Sequence, residues 1–202
     1  MFEQTFKNID DILYKDDGPD SELDYTEQSS WILFLRYLHE LELEKKDKAE
    51  LKAEKYSFIL DEQYRWANWA VPKNADGGID HHSRKEGPVQ IEFVNTELFP
   101  YLAGFKQSAE SPKTIEYKIG EIFDGMKNKI ESGYNLREIL ELADILTFNS
   151  ADKKHKLSHL YEAKLPDLLN LKYKAIADAK RELGTTSEIR DTFIGFQRYL
   201  YK

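Results

Sequence analysis

The chain has 202 residues, of which 41% are hydrophobic and 33% charged, and its formal net charge is −8. It contains no Cys, which excludes a disulfide framework and any thiolate zinc site. No apolar run approaches the ~20 residues a bilayer span needs, and the opening MFEQTFKNID lacks the basic start and apolar core of a secretory signal, so a cytoplasmic protein without a membrane partner is expected.

The segment from Met1 to Asp16 places Phe2, Phe6, Ile9 and Leu13 at helical spacing, and Gly18-Pro19 ends it. Glu22–Glu44 follows, with Trp31-Ile32-Leu33-Phe34-Leu35 apolar at successive positions. A helix apolar on every side is buried on every side, so this stretch is expected to be the central helix of the domain. Asp24 and Glu27 have capping-box spacing at its start. Lys45–Lys55 reads as a solvated extension or a charged connection. In Ile59–Pro72, Tyr64, Trp66 and Trp69 suggest an extended, half-buried aromatic segment, and Asn74–Gly87 is loop-like. Val89–Phe105 returns to helical spacing, with Pro100 as a kink or end.

Ser111-Pro112 has the composition of a helix start, and Ile115, Ile119, Ile122, Met126 and Ile130 continue one stripe toward a C-cap at Gly133. Asn135 and Glu138 open a further helix with Leu136, Ile139, Leu140, Ala143 and Leu146 on its apolar face. Ser150–Lys164 is expected to be helical. Pro166 then opens a pattern of Leu169, Tyr173 and Ile176 closed by Gly184, and Thr185 with Glu188 caps a last stripe of Ile189, Phe193, Phe196 and Leu200. Residues 165–202 therefore read as a helical hairpin. They hold seven Lys or Arg against five Asp or Glu, a net of +2 against −10 for the rest, which marks a boundary near residue 165. The expected fold is an all-α helical bundle over 1–164, with the short extended aromatic segment at 59–72 and the hairpin of 165–202 packed on it.

Few constellations carry chemistry. His155 and His159 have the i, i+4 spacing of a zinc-protease helix, but Lys156 stands where the general base belongs and no third ligand is evident. His81-His82, near Asp76 and Asp80, fits a polar loop better than a metal site. Tyr64, Trp66, Trp69 and Arg65 could stack bases, although such spacing more often marks core. Lys113, Lys118, Lys127 and Lys129 are interleaved with Glu116, Glu121 and Asp124, as on a mixed solvated face. No Gly-rich phosphate cradle and no Ser-His-Asp or Cys-His arrangement can be nominated. The residues alone lead to a helical interaction domain.

The phrases MFEQTFKNIDDILYKDDG, SELDYTEQSSWILFLRYL, ILDEQYRWANWAVPKN, ELFPYLAGFK, TIEYKIGEIFDGMKNKIESGYNLREIL and KKHKLSHLYEAK together resemble the N-terminal helical domain of the modification (M) subunit of type I restriction-modification systems, nearly continuously from Met1 to Lys164. The resemblance implies a subunit that pairs with a specificity (S) subunit and methylates adenine N6 with S-adenosylmethionine. In the family a catalytic domain follows the LSHLYEAK-like phrase, carrying a Gly-containing cofactor loop and an Asn-Pro-Pro-aromatic motif that holds the flipped base. This sequence has neither Asn-Pro-Pro nor Gly-x-Gly, so no catalytic, cofactor-binding or metal-ligating residue is carried over. LPDLLNLKYKAIADAKRELGTTSEIRDTFIGFQRYLYK resembles instead the C-terminus of the restriction (R) subunit of the same systems, so the chain reads as a fusion.

The function expected from this is a non-catalytic assembly module of a type I DNA restriction-modification complex, whose tail reproduces an M–R contact. Its partners would be the M, S and R subunits, with DNA reached through the complex. Tyr173, Ile176, Ile189, Phe193, Phe196 and Leu200 are the candidate contacts of the tail. Two other readings compete: a DNA-clamping domain of the methyltransferase, and an enzyme with an unrecognised helical site. The acidic balance opposes the first, and the missing constellations oppose the second.

Overall fold

The computed structural model describes residues 2–148. The expected helix from Ser150, the hairpin of 165–202 with its packing, and the boundary at 164/165 lie outside the described residues. Within them the chain is helical, and its one β feature is an isolated antiparallel bridge between Lys73 and Ile79. Two compact units are distinguished. One takes the chain through Leu98 and again from Asn128, and the other takes Phe99–Lys127.

The first unit is organised around α2 (Glu22–Leu51). Ser21 caps it, its hydroxyl accepting the Asp24 N–H, so the cap lies three residues before the Asp24 expected from the sequence. Trp31, Ile32, Leu33, Phe34 and Leu35 are all buried, and each such side chain contributes about 1.5–3 kcal/mol by leaving water. Burial on all sides extends from Gln28 through Leu38, as expected of a helix without a solvent face. Beyond Glu42 the charges take over, and the helix runs on into solvent to Leu51.

α1 (Phe2–Leu13) buries Phe6, Ile9 and Leu13 and packs on α2 and on α7 (Gly133–Ile145). α7 turns Leu136, Ile139, Leu140 and Ala143 inward, with Leu146 just beyond its end, as the spacing predicts. Its cap is Ser132, which accepts the Asn135 N–H, so Gly133 opens this helix and does not close the preceding one. α4 (Gly87–Phe93) lies against α7, and a π-helical turn at Val94–Leu98 follows it. That wider turn falls just upstream of Pro100, whose ring excludes an ordinary bond to the carbonyl four residues back.

The segment at 59–72 corrects the sequence reading. It is a 3-10 turn at Glu62–Tyr64 followed by the one-turn helix α3 (Trp66–Trp69), with no extended strand. The period of two rested on Tyr64 and Trp66 alone. Trp66 and Trp69 are three apart, the spacing of one helical face, and both rings are buried in edge contact at 5.8 Å.

In the second unit, α5 (Phe99–Ser108) packs against α6 (Ile115–Phe123), with Phe99 edge-on to Phe123 at 5.2 Å. α6 is capped by Thr114, whose hydroxyl accepts the Tyr117 N–H. Ser111-Pro112 instead opens the preceding turn, closed by the Thr114 N–H on the Ser111 carbonyl. The stripe expected to reach Ile130 breaks after Phe123, where Gly125 adopts φ +82°, so Met126 and Ile130 lie outside the helix.

Candidate interaction surface

The six tail residues Tyr173, Ile176, Ile189, Phe193, Phe196 and Leu200 lie outside the described residues, as do His155 and His159. The other singled-out groups are placed. Trp66 and Trp69 belong to the core: the Trp66 indole N–H donates to Asp144 Oδ1 at 2.9 Å, and Trp69 packs on Phe93 at 6.0 Å. Arg65 lies over the Phe58 ring, 4.0 Å from its centroid. These rings are committed to packing, which removes the base-stacking platform.

Asp80 shapes its own loop, accepting from the His82 and Ser83 backbone N–H groups and the Ser83 hydroxyl. The Ser83 bonds, hydroxyl first, hold its carboxyl below the usual range. His81 and His82 are exposed beside it, and no group of three or more His, Cys, Asp or Glu that could hold a metal ion occurs among the described residues. Lys118 pairs with Glu121 at 2.6 Å, the mixed solvated face expected of α6.

Three polar assemblies fix the helices of the first unit. At the end of α1, the buried Asp16 carboxylate accepts the N–H groups of Gly18, Glu131 and Ser132 and the side-chain amide of Asn135. It thereby ties the exit of α1 to the entry of α7. Next to it, Lys129 reaches Asp24 at 2.6 Å, while the Lys129 N–H and the Trp31 indole N–H both donate to Gln28 Oε1. Burial opposes ionisation of Asp24, but hydrogen bonds from Lys129, Asp20 and Ser21 outweigh it and hold its carboxyl low. The same bond raises the Lys129 ammonium above its usual value. Glu27, half-buried nearby, is raised by burial and then by the Asp24 charge.

The second assembly joins α2, α3 and α7. Asp144 receives Trp66, Lys73 at 2.5 Å and Arg36 at 3.6 Å. Arg36 also donates to Glu40 and to the Asp144 carbonyl, and Glu40 accepts the Phe148 N–H. Phe148 is buried edge-on to Tyr37 at 5.7 Å, which fixes the chain leaving α7 against α2. His39, beside Arg36 and Asp144, is pushed down to about 4 by burial first and the Arg36 charge second. The third is the buried Arg84, which pairs with Glu141 and donates to the Arg137 carbonyl, anchoring the 74–87 loop to α7.

Asp16, Asp24, Glu40 and Asp144 are thus occupied by N–H donors and cations, an arrangement that positions helices. Asp16 is not among the residues the sequence singles out as functional. The available signal was Asp-x-Gly, an Asx turn in which the carboxylate bonds its own backbone two residues on. Arg84 carries no such local signal, because Glu141 and Arg137 are distant in the chain, as is the Lys129 N–H that Gln28 accepts.

The profile of the HsdM N-terminal domain family matches residues 2–163. The type I restriction enzyme EcoEI methylase subunit of Escherichia coli is 29% identical over 165 residues, covering 81% of this chain and 31% of that protein. A modification subunit assigned to a type I restriction enzyme from Vibrio vulnificus YJ016 superposes with a TM-score of 0.60 at 26% identity, over 82% of this chain and 34% of its own. A chain from a structure on complex assembly and conformational transition of the type I R-M system gives 0.62 at 26% identity, over 82% and 30%. The chain spans about a third of the length of these relatives.

Proposed function

The chain belongs to the HsdM N-terminal domain family, and on that premise we propose that it is a non-catalytic assembly module of a type I DNA restriction-modification complex. The observation that carries this is the match over residues 2–163 to a domain whose relatives are modification subunits some three times longer. Internally bonded carboxylates and core-committed tryptophans support it, since both serve helix placement. S-adenosylmethionine and adenine-N6 methylation belong in this reading to the longer subunit, and M, S and R subunits are the partners. Residues 165–202 stand in for the C-terminal end of the R subunit, through Tyr173, Ile176, Ile189, Phe193, Phe196 and Leu200, and occupy in one chain a contact normally made between two. Covalent attachment raises the effective concentration of such a segment to the millimolar range.

The test is binding of purified R subunit to the full chain and to a chain ending at Lys164. The full chain is expected to bind weakly and the shortened one at least about tenfold more tightly, because the dock is vacated. Equal affinities would remove the tail from the account, and methyl transfer to DNA by the isolated chain would remove the assembly role itself.

A further inference from the structure

Asp is followed by Gly at three places in the chain, Asp17-Gly18, Asp76-Gly77 and Asp124-Gly125. This dipeptide is open to an intramolecular reaction, because glycine has no side chain to shield its amide from the carboxyl before it. Ring closure has two local requirements. The Gly N–H must be free of other bonds, and the backbone must have room to turn until its nitrogen meets the Asp Cγ. All three Asp residues are exposed, so exposure does not distinguish them.

Their surroundings do. Gly18 donates its N–H to the buried Asp16 carboxylate at 3.2 Å, and a Cβ there would run into the Lys129 carbonyl oxygen, so neither requirement is met. Gly77 has room, but its N–H closes a turn on the Asn74 carbonyl at 2.9 Å. The Asp76 carboxylate is itself held by the Gly78 N–H at 3.2 Å. Gly125 meets both requirements. Its N–H finds no acceptor among the described residues, and nothing lies within 4 Å of where a Cβ would stand. The Asp124 carboxylate pairs with the Lys106 ammonium, and both side chains are exposed, where such a pair restrains little.

We propose that Asp124 is a site of spontaneous covalent modification, where aspartate converts to isoaspartate through a cyclic imide. The Gly125 nitrogen attacks Cγ of the neutral Asp124 carboxyl. The N–Cγ bond forms, the Cγ–OH bond breaks, and the hydroxyl and the amide proton leave as water. Water then re-enters the ring. Attack at Cγ restores aspartate. Attack at the main-chain carbonyl carbon breaks its bond to the Gly125 nitrogen and leaves the chain running through Cβ and Cγ. The water lost is regained, so mass is unchanged and no oxidant or second protein takes part. The product carries an extra methylene in the main chain at the end of α6 and displaces the carboxylate through which Lys106 of α5 holds that end.

The experiment holds the full chain folded, as verified by circular dichroism, at physiological temperature and mildly acidic pH. Synthetic peptides spanning each Asp-Gly pair run beside it and set the rate without a fold. Peptide mapping over time with electron-transfer fragmentation distinguishes isoaspartate from aspartate. In the protein, Asp124 is expected to convert within about threefold of its peptide's rate, and Asp17 and Asp76 at least about tenfold slower than theirs, because a hydrogen bond must break before their amides can attack. In urea all three sites should convert at the peptide rates. Conversion at Asp17 or Asp76 ahead of Asp124, each relative to its own peptide, overturns the proposal. So does protection of Asp124 in the folded chain that urea relieves, or an equal relative rate at all three sites.

Discussion

Asp16 and Asp17 are adjacent and chemically identical, yet one is buried under four N–H donors and the other faces solvent. Asp16→Ala strands the Glu131 and Ser132 amides, so it is expected to cost about 3 kcal/mol in urea denaturation. Asp17→Ala should stay within about 0.5 kcal/mol, and two equal losses would mean the Asp16 bonds contribute nothing net. A second residue sets a pH dependence. His39 titrates near 6.5 when unfolded and near 4 when folded, because burial and then Arg36 disfavour its imidazolium. Above pH 6.5 both states are neutral and the group contributes no slope. As pH falls from 6.5 toward 4 the unfolded chain takes up the proton first, so stability drops, by at most about 3 kcal/mol, and levels off once the folded state is protonated too. Glu27 and Glu42, both raised by burial, act in the opposite sense at acid pH, so the diagnostic quantity is the difference between wild type and His39→Gln. That difference should grow between pH 6.5 and 4. A flat difference would show that His39 is solvated in solution.

Helix faces were legible wherever one period ran unbroken. The α7 face from Leu136 to Leu146 and the all-round burial of Trp31–Leu35 both follow from spacing alone. Helix ends were less so, for a physical reason. Ser21, Thr114 and Ser132 each won the cap from a neighbour with equally suitable chemistry, because cap selection depends on where tertiary packing lets the chain turn. The Ile115–Ile130 stripe shows the same limit, since Gly125 interrupts it without breaking its periodicity. Glycines inside elements give the sharpest test at this scale. Gly133→Ala ought to gain up to about 1 kcal/mol by helix propensity, but its Cβ would meet the Gly87 backbone, and the overpacking should leave a net loss of about 1–3 kcal/mol. Gly104, in α5, has nothing within 4 Å of a Cβ, so Gly104→Ala should gain about 0.5–1 kcal/mol. Thermal melts of the pair check this, and a stabilised Gly133→Ala would mean that α4 and α7 are farther apart than described.

For the molecule as a whole, composition and pattern sufficed for an all-α chain without a membrane-spanning helix among its described residues, and the long phrases sufficed for the family. The Asp16 and Gly87–Gly133 contacts were invisible in the sequence, because the residues they join lie far apart along the chain. Net charge acts at this scale too, and it separates the assembly reading from a DNA clamp. A clamp must recover counterion-release free energy by meeting phosphates with Lys and Arg, which makes its affinity fall steeply with salt. Here the net charge is −8, and the described lysines Lys118 and Lys129 already neutralise Glu121 and Asp24. The isolated chain is therefore expected to bind a fluorescent 30-base-pair duplex no better than about 10⁻⁴ M at physiological salt, whatever its sequence. Anisotropy titrations at two salt concentrations decide the matter. A submicromolar affinity that falls about a thousandfold as salt is raised fourfold would require several released phosphate counterions. It would place a basic track on this protein and make clamping, in place of subunit docking, its primary work.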